Sequence, residues 1–291
     1  MILTHLGLWK KIRTALRGIP KIPLIILVVI IFSAIFANLV APHDPETGEP
    51  RDRNLPPFWQ QRGSLEYPLG TDHVGRDVLS RLIYGARVSL IVAFMAVCVA
   101  GVLGTSLGIL SGFFGGKLDE ILMRITDGWL AFPAMFTAIL MAMLLGPGVQ
   151  NIVIVLGIVY WTRYARVIRG EVLSLRERDF VHLAMTAGCS KLRIMWKHIL
   201  PNVISTAIVL GTLQLGLVVV MEASLTFIGV GVPPPKPAWG LMLSEGREGL
   251  MAGYWWTSVF PGLGIVFLVM AANFLGDWLR VRLDPWLKQL L

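Results

Sequence analysis

Charge is scarce in this chain. Asp, Glu, Lys and Arg make up 15% of its 291 residues, against roughly 25% in an ordinary soluble domain. Five stretches carry none at all: Ile22 to Val40, Val88 to Gly116, Gly128 to Thr162, Ala223 to Pro235 and Gly249 to Gly276. A bilayer core about 30 Å thick is crossed by roughly 20 apolar helical residues, so a soluble globular domain is excluded and lipid is the expected solvent. Cysteine is nearly absent. Cys98 lies within an apolar run and Cys189 in a segment expected in the cytoplasm, which leaves no disulfide framework and no CxxC metal site. Histidine never enters the apolar runs, and His5, His43 and His73 are scattered singly, so no metal is assigned to them. A nucleotide loop is missing too: the stretch GFFGGKL has Ser111 where a phosphate loop needs Gly, and Leu118 where it needs Ser or Thr. The formal charge of +8 comes without a basic, aromatic-interleaved stripe on a soluble module, which excludes nucleic acid as the partner.

The apolar runs resolve into six expected spans. The run from Gly128 to Thr162 is broken by Gly146, Pro147 and Gly148 and makes two. Residues from Val203 to about Gly229 make a fifth, interrupted only by Glu222, and Gly249 to Gly276 a sixth. The N-terminal flank carries Lys10, Lys11, Arg13, Arg17 and Lys21 with no acid. Starting from the cytoplasm, six spans keep 18 basic residues inside and 8 outside, as the positive-inside rule expects. The first apolar run, 19 residues long, exceeds a signal-peptide core and is expected to stay as a span. The chain then divides into a cytoplasmic N-terminal segment (1–21), a first transmembrane helix (22–40), an external loop with an amphipathic helix (41–87), a five-helix core (88–280) containing a cytoplasmic loop (171–201), and a cytoplasmic tail (281–291).

Several local patterns invite a chemical reading. From Asp77 onward, Val78, Leu79, Leu82, Ile83 and Val88 recur at helical spacing and predict an amphipathic helix on the outer surface leading into the second span. Gly104, Gly108 and Gly112 sit four apart on one face, the spacing that lets membrane helices approach closely. The same stretch fits G-x-S-x-G around Ser106, but a hydrolase elbow needs a strand, a turn and a helix, so packing is the better reading. Arg124 and Asp127 are expected to pair within one helix. The proline-rich segment GVPPPKPAWG is expected outside, with Trp239 at the membrane interface.

The cytoplasmic stretch DFVHLAMTAGCSKLRIMWKHI shows Phe180, Leu183, Ala184 and Ala187 on one face, a Gly188 hinge, then Leu192, Met195, Trp196 and Ile199 on another. This predicts two short amphipathic helices, either lying against the membrane or docking a soluble partner. The segment resembles the coupling loop of ABC-importer permeases, in which Glu-Ala-Ala precedes a glycine and, further on, an aliphatic residue and Leu-Pro. His182, Leu183 and Ala184 take the first places, Gly188 the glycine, and Leu200 and Pro201 the end; His182, Leu183 and His198 depart from the pattern. Along nearly the whole chain, LGTDHVGRDVLSRLIYGARVSL, YARVIRGEVLSL, EASLTFIGVGVPPPKPAWGLML and NFLGDWLRVRLDP are similar to the C-type permease of dipeptide, oligopeptide and nickel importers.

That resemblance implies an all-α membrane protein with six transmembrane helices, the type I ABC-importer permease fold with a cytoplasmic coupling helix-turn-helix, residing in a prokaryotic inner membrane with both termini cytoplasmic. It implies a second homologous permease, two ATP-binding subunits or domains that hold ATP and Mg, and an extracytoplasmic substrate-binding protein. No cofactor and no catalytic residue are expected in this chain. Glu222, a carboxylate within a span, is a candidate to line the pathway or to pair with a basic or hydroxyl group between helices. A secondary transporter and an intramembrane enzyme are the competing classes. The first would show paired half-transporter repeats and the second a nucleophile with a histidine inside the spans, and neither is evident.

Overall fold

A computed structural model describes residues 18–283. The expected N-terminal segment up to residue 17 and the tail from residue 284 lie outside the described residues. Helices follow in the order α1 (Lys21–Ile35), α2 (Ala37–Val40), α3 (Val78–Phe114), α4 (Gly116–Ala131), α5 (Ala134–Leu145), α6 (Val149–Arg176), α7 (Asp179–Thr186), α8 (Lys191–Ile194), α9 (Leu200–Ile228), α10 (Trp239–Met251) and α11 (Trp256–Leu283). No strand occurs among the described residues, and the pairing of Thr71 with Asp77 is an isolated bridge.

Four helical stretches are long and apolar enough to cross a membrane: α3, α6, the continuous run Lys191–Ile228, and α11. A fifth is reached if α4 and α5 together make one crossing, and α1, at 15 residues, falls short by length. The break at Gly146–Gly148 stands where the sequence puts it, with φ of 80° and 150° at the two glycines. A second break, which the apolar pattern does not suggest, bends α4 against α5 by 94°. Its cause is Pro133, which offers no N–H and pushes the preceding residue out of the α region; Phe132 is extended at φ −87°, ψ 139°.

The outer amphipathic helix is not a separate element. Asp77 caps α3 by accepting from Leu79 N and Ser80 N, and the helix then runs unbroken for 37 residues, about 55 Å at 1.5 Å per residue. Gly85, the first glycine in that helix, is not a hinge because the Trp239 ring fills the space beside it, 2.9 Å from where a Cβ would stand. Trp239 therefore departs from its expected interfacial role. It is buried, its Nε1 donates to Leu82 O at 2.9 Å, and it is wedged between Gly85 of α3 and Gly264 of α11. Two glycines on different helices, neither with a side chain to fill the space, leave the slot for the ring, and this is invisible in the local sequence. Arg87 donates to the terminal carbonyls Ala34 O (2.7 Å) and Ile35 O (2.9 Å), tying the end of α1 to α3.

The glycine stripe does what its spacing predicts. Gly104 meets Trp161 and Tyr164, Gly108 meets Ala165 and Ile168, and Gly112 meets Arg169 and Val172, so the residue numbers climb together and α3 and α6 run parallel. A Cβ on Gly104 would lie 2.2 Å from Trp161 O, and one on Gly108 2.7 Å from Ala165 O. These obstacles are backbone, which has nowhere to move, so overpacking should cost at least the usual 1–3 kcal/mol, approximately. Gly101 offers the contrast, with Tyr164 at an ordinary 3.5 Å. We expect Gly104→Val to lower the thermal midpoint of the purified protein in detergent by several degrees or abolish folding, while Gly101→Ala leaves it nearly unchanged. Equal midpoints for the two variants would contradict the close-packed pair.

Candidate coupling and translocation sites

Beyond the C-terminal end of α6, α7 and α8 form a hairpin. Gly188 has φ +76°, and Gly188 N, Cys189 N and Ala187 N donate to Met185 O, Ala184 O and Leu183 O, closing a left-handed turn. Ser190 accepts from Arg193 N at 3.4 Å and starts α8. The hairpin is plugged into the membrane helices by Val181, Ile194, Met195 and Ile199, which pack with Ile109, Phe113, Ile168 and Val203. The expected faces are thereby redrawn. Val181, outside the expected apolar face, is the buried anchor of α7, whereas Leu183 is 68% exposed and Phe180 sits at the margin beside His198. On the second arm Met195 and Ile199 point inward while Leu192 and Trp196 face out. The reason is that the helix ends already present an apolar socket, and the hairpin meets it with a narrower stripe than its full apolar surface. His182, Ala187, Gly188 and Pro201 are exposed, and Ala184 and Leu200 lean on the socket. A short π-helical turn, Met195–Ile199, joins the hairpin to α9.

Glu222 is fully buried between α9 and α3. Ser89 Oγ donates to its Oε2 at 3.0 Å and Thr226 Oγ1 to its Oε1 at 2.9 Å; Val232 N in turn donates to Thr226 Oγ1 at 3.2 Å. The side chain thus joins α3, α9 and the following loop through hydroxyl groups. The expected Arg124–Asp127 pair does not form. Arg124 approaches Glu120 at 3.9 Å, and Asp127 pairs with Arg166 of α6. Arg169 grips Asp119 with its Nη2 2.6 Å from Oδ2, so both acids bind α4 to α6 rather than serving their own helix.

The most highly charged buried cluster has no counterpart among the sequence expectations. Asp72 and Glu245 are each bridged by Arg76 and Arg81. Arg76 Nε lies 2.7 Å from Asp72 Oδ2, Arg76 Nη2 3.0 Å from Glu245 Oε2, and Arg81 Nη1 2.7 Å from Glu245 Oε2 while also donating to Asp72. Arg76, Arg81 and Asp72 are all buried, and the cluster fastens the loop between α2 and α3 and the start of α3 to α10. Burial alone would raise the Asp72 carboxyl, but Arg81 and Arg76, with the backbone N–H groups of Arg76 and Val74, outweigh it and hold the group below the ordinary carboxylate range. The spacing of Asp72, Arg76 and Arg81 is readable in DHVGRDVLSR, but Glu245 is remote in sequence and gives no local signal.

The family model described as "Binding-protein-dependent transport system inner membrane component" matches residues 104–289. The chain belongs to this family of inner membrane transport components. A second model, the N-terminal TM domain of oligopeptide transport permease C, matches residues 22–57, covering α1, α2 and the start of the loop that follows. Similar full-length proteins include the di/tripeptide transport system permease protein DppC of Pseudomonas aeruginosa, 41% identical over 91% of this chain and 87% of that protein. The dipeptide transport system permease protein DppC of Haemophilus influenzae is 39% identical over 97% and 93%. That of Escherichia coli K12 is 42% identical over 91% and 88%.

The lowered Asp72 pKa sets the sign of a pH effect. The stability it contributes is fully present above the ordinary carboxylate value near pH ~4 and is lost as pH falls through the depressed folded value. Removing one member of a buried charge cluster typically costs about 3–5 kcal/mol. Asp72→Asn should therefore lower the thermal midpoint by a constant amount between pH 5 and 8, and the gap from wild type should narrow in more acid solution. A gap that stays constant down to the acid limit would contradict the ionised cluster.

Proposed function

We propose that this chain is the transmembrane permease subunit of an ATP-driven importer of dipeptides or short oligopeptides. The reading is carried by the near full-length identity to permeases named for dipeptide and di/tripeptide transport. Its topology has six crossings, α1 with α2, α3, the bent α4–α5 pair, α6, α9 and α11, with both termini cytoplasmic in a prokaryotic inner membrane. The parallel packing of α3 and α6 supports the bent pair as a crossing, because a chain that descends twice in the same direction must return between. The break at Phe132–Pro133 supports its role in the pathway: interrupted backbone at membrane depth is tolerated only against protein or a water-lined cavity, and Phe132 and Phe136 are exposed.

Energy must come from partners. Two ATP-binding subunits holding ATP and Mg, a second permease and an extracytoplasmic binding protein complete the assembly. The hairpin's open face, with Leu183, Ala187, Gly188 and Trp196, is the docking element for an ATP-binding subunit, and its buried face transmits movement directly into the inner ends of α3, α6 and α9. Closure of the ATP-binding pair then rocks these helices and exposes the pathway alternately to the two sides. Glu222, enclosed among hydroxyl groups, acts in this reading by holding α3 to α9 rather than by meeting solute.

The test is uptake by proteoliposomes. The assembled complex should accumulate a radiolabelled dipeptide only with ATP and binding protein, and the isolated chain should move none; flux through the chain alone under an ion gradient would favour a secondary transporter. Ala187→Glu and Gly188→Val probe the docking face, the first by adding an unpaired charge and the second by penalising the left-handed turn by about 1–3 kcal/mol. Both should leave the permease pair assembled while reducing ATPase copurification or binding-protein-stimulated hydrolysis. Ala184 is the poorer probe because it leans on the hairpin's own socket. Unaltered coupling in both variants would remove the hairpin from the transmission path.

A further inference from the structure

The external loop ends in a tight finger, residues 57–63, that carries two aromatic rings into solvent-accessible positions: Phe58 is 50% and Trp59 51% exposed. The finger is closed by Gln60 N donating to Pro57 O and Gly63 N to Gln60 O, both at 2.9 Å, and a Cβ at Gly63 would lie 2.2 Å from Pro57 O. It is also fixed in place. Phe58 N donates to Pro68 O at 3.3 Å, and Trp256 Nε1 donates to Thr71 O at 3.0 Å, pinning the same loop to the start of α11.

The level at which the rings stand is what decides their partner. Trp59 packs edge-on against Phe260 at 6.2 Å, and Phe260 is four residues into α11, about 6 Å inward of its first residue. Trp59 therefore lies beside the second turn of an apolar helix long enough to span, near the end where a spanning helix would meet the headgroups. The exposed face of α11 continues below it with Leu263 and Phe267. Beside the two rings, Gln60, Gln61 and the exposed Arg62 supply the amide and cationic groups that suit such a boundary, where rings sit at the acyl edge and polar groups meet the headgroup phosphates.

We propose that residues 57–63 rest in the outer leaflet, with Phe58 and Trp59 at the acyl boundary and Arg62 among the phosphates, so that the external loop is anchored to lipid as well as to the helices. A soluble binding protein would approach the water-facing side of the loop, not the level of the second turn of a span. The inference rests on α11 being a span but not on which solute is carried.

The test uses the assembled complex in lipid nanodiscs, with Cys98 and Cys189 replaced. Nitroxide labels at Trp59→Cys and, as an aqueous reference on the same loop, Glu46→Cys are compared by collision with oxygen and with a water-soluble nickel chelate. At position 59 oxygen collisions should exceed those with nickel severalfold, and at position 46 the order should reverse. Nickel access at 59 equal to that at 46 would place the finger in water. A label at 59 shielded from both reagents would place it under a protein partner, and either result overturns the proposal. Should the Trp59→Cys variant fail to fold, quenching of native tryptophan fluorescence by brominated lipid decides instead: Trp59→Phe should lose part of the wild-type quenching, and an unchanged quenched fraction would overturn the proposal.

Discussion

Close backbone contact between α3 and α6 is the constraint on which the rest of the structure depends. Between lipid-exposed helices there is no hydrophobic driving force, since lipid tails are as apolar as leucine, and association rests on packing and hydrogen bonds. Glycines at 104, 108 and 112 let α3 settle against Trp161, Ala165 and Arg169 with no room for a methyl group between them. Two long helices so joined behave as one beam. The N-terminal end of α3 carries the Asp72–Arg76–Arg81–Glu245 cluster, and the opposite end of the pair forms the socket that receives the α7–α8 hairpin. In the proposed transport cycle, this pair is the path by which movement at the hairpin would reach the far end of α3.

Polar groups buried along this beam define which helices belong to it. A buried charge left alone is strongly unfavourable, and a buried charge cluster is a weak source of net stability but a strict condition on geometry. Asp72 and Glu245 each need both arginines, so the external loop and α10 are held in one arrangement. Glu222 works in the same way with neutral partners: Ser89 from α3 and Thr226 from its own helix occupy its two oxygens, and the Thr226 hydroxyl also receives Val232 N. Loss of such a partner leaves a buried polar group unsatisfied, at about 1–3 kcal/mol.

What was legible in the sequence follows from how local the cause is. The glycine stripe, the turn at Gly188 and the break at Gly146–Gly148 each depend on residues within a few positions of one another, and each appears where the pattern puts it. Family membership was legible for a different reason, because long ordered stretches of the chain carry it. The partners of Asp127, Glu222 and Arg81 come from other helices, and no periodicity within one helix points to Arg166, Ser89 or Glu245. Trp239, flanked by prolines, reads locally as an interfacial ring, and only the slot that Gly85 and Gly264 leave makes it a buried wedge. The bend at Pro133 was written in the chain, yet the neighbouring Gly-Pro-Gly is the stronger punctuation and accounted for the length of the apolar run without it.

The central claim is that the parallel α3–α6 beam crosses the membrane with the charged cluster outside and the hairpin inside. The most direct measurement is two-sided labelling of single cysteines placed at Val74, beside the cluster, and at Ser174, near the inner end of α6, in a background lacking Cys98 and Cys189. A membrane-impermeant maleimide should modify position 74 from the outer side of the membrane and position 174 only after access to the cytoplasmic side is opened. Modification of both positions from the same side would contradict the parallel crossing and the coupling path built on it.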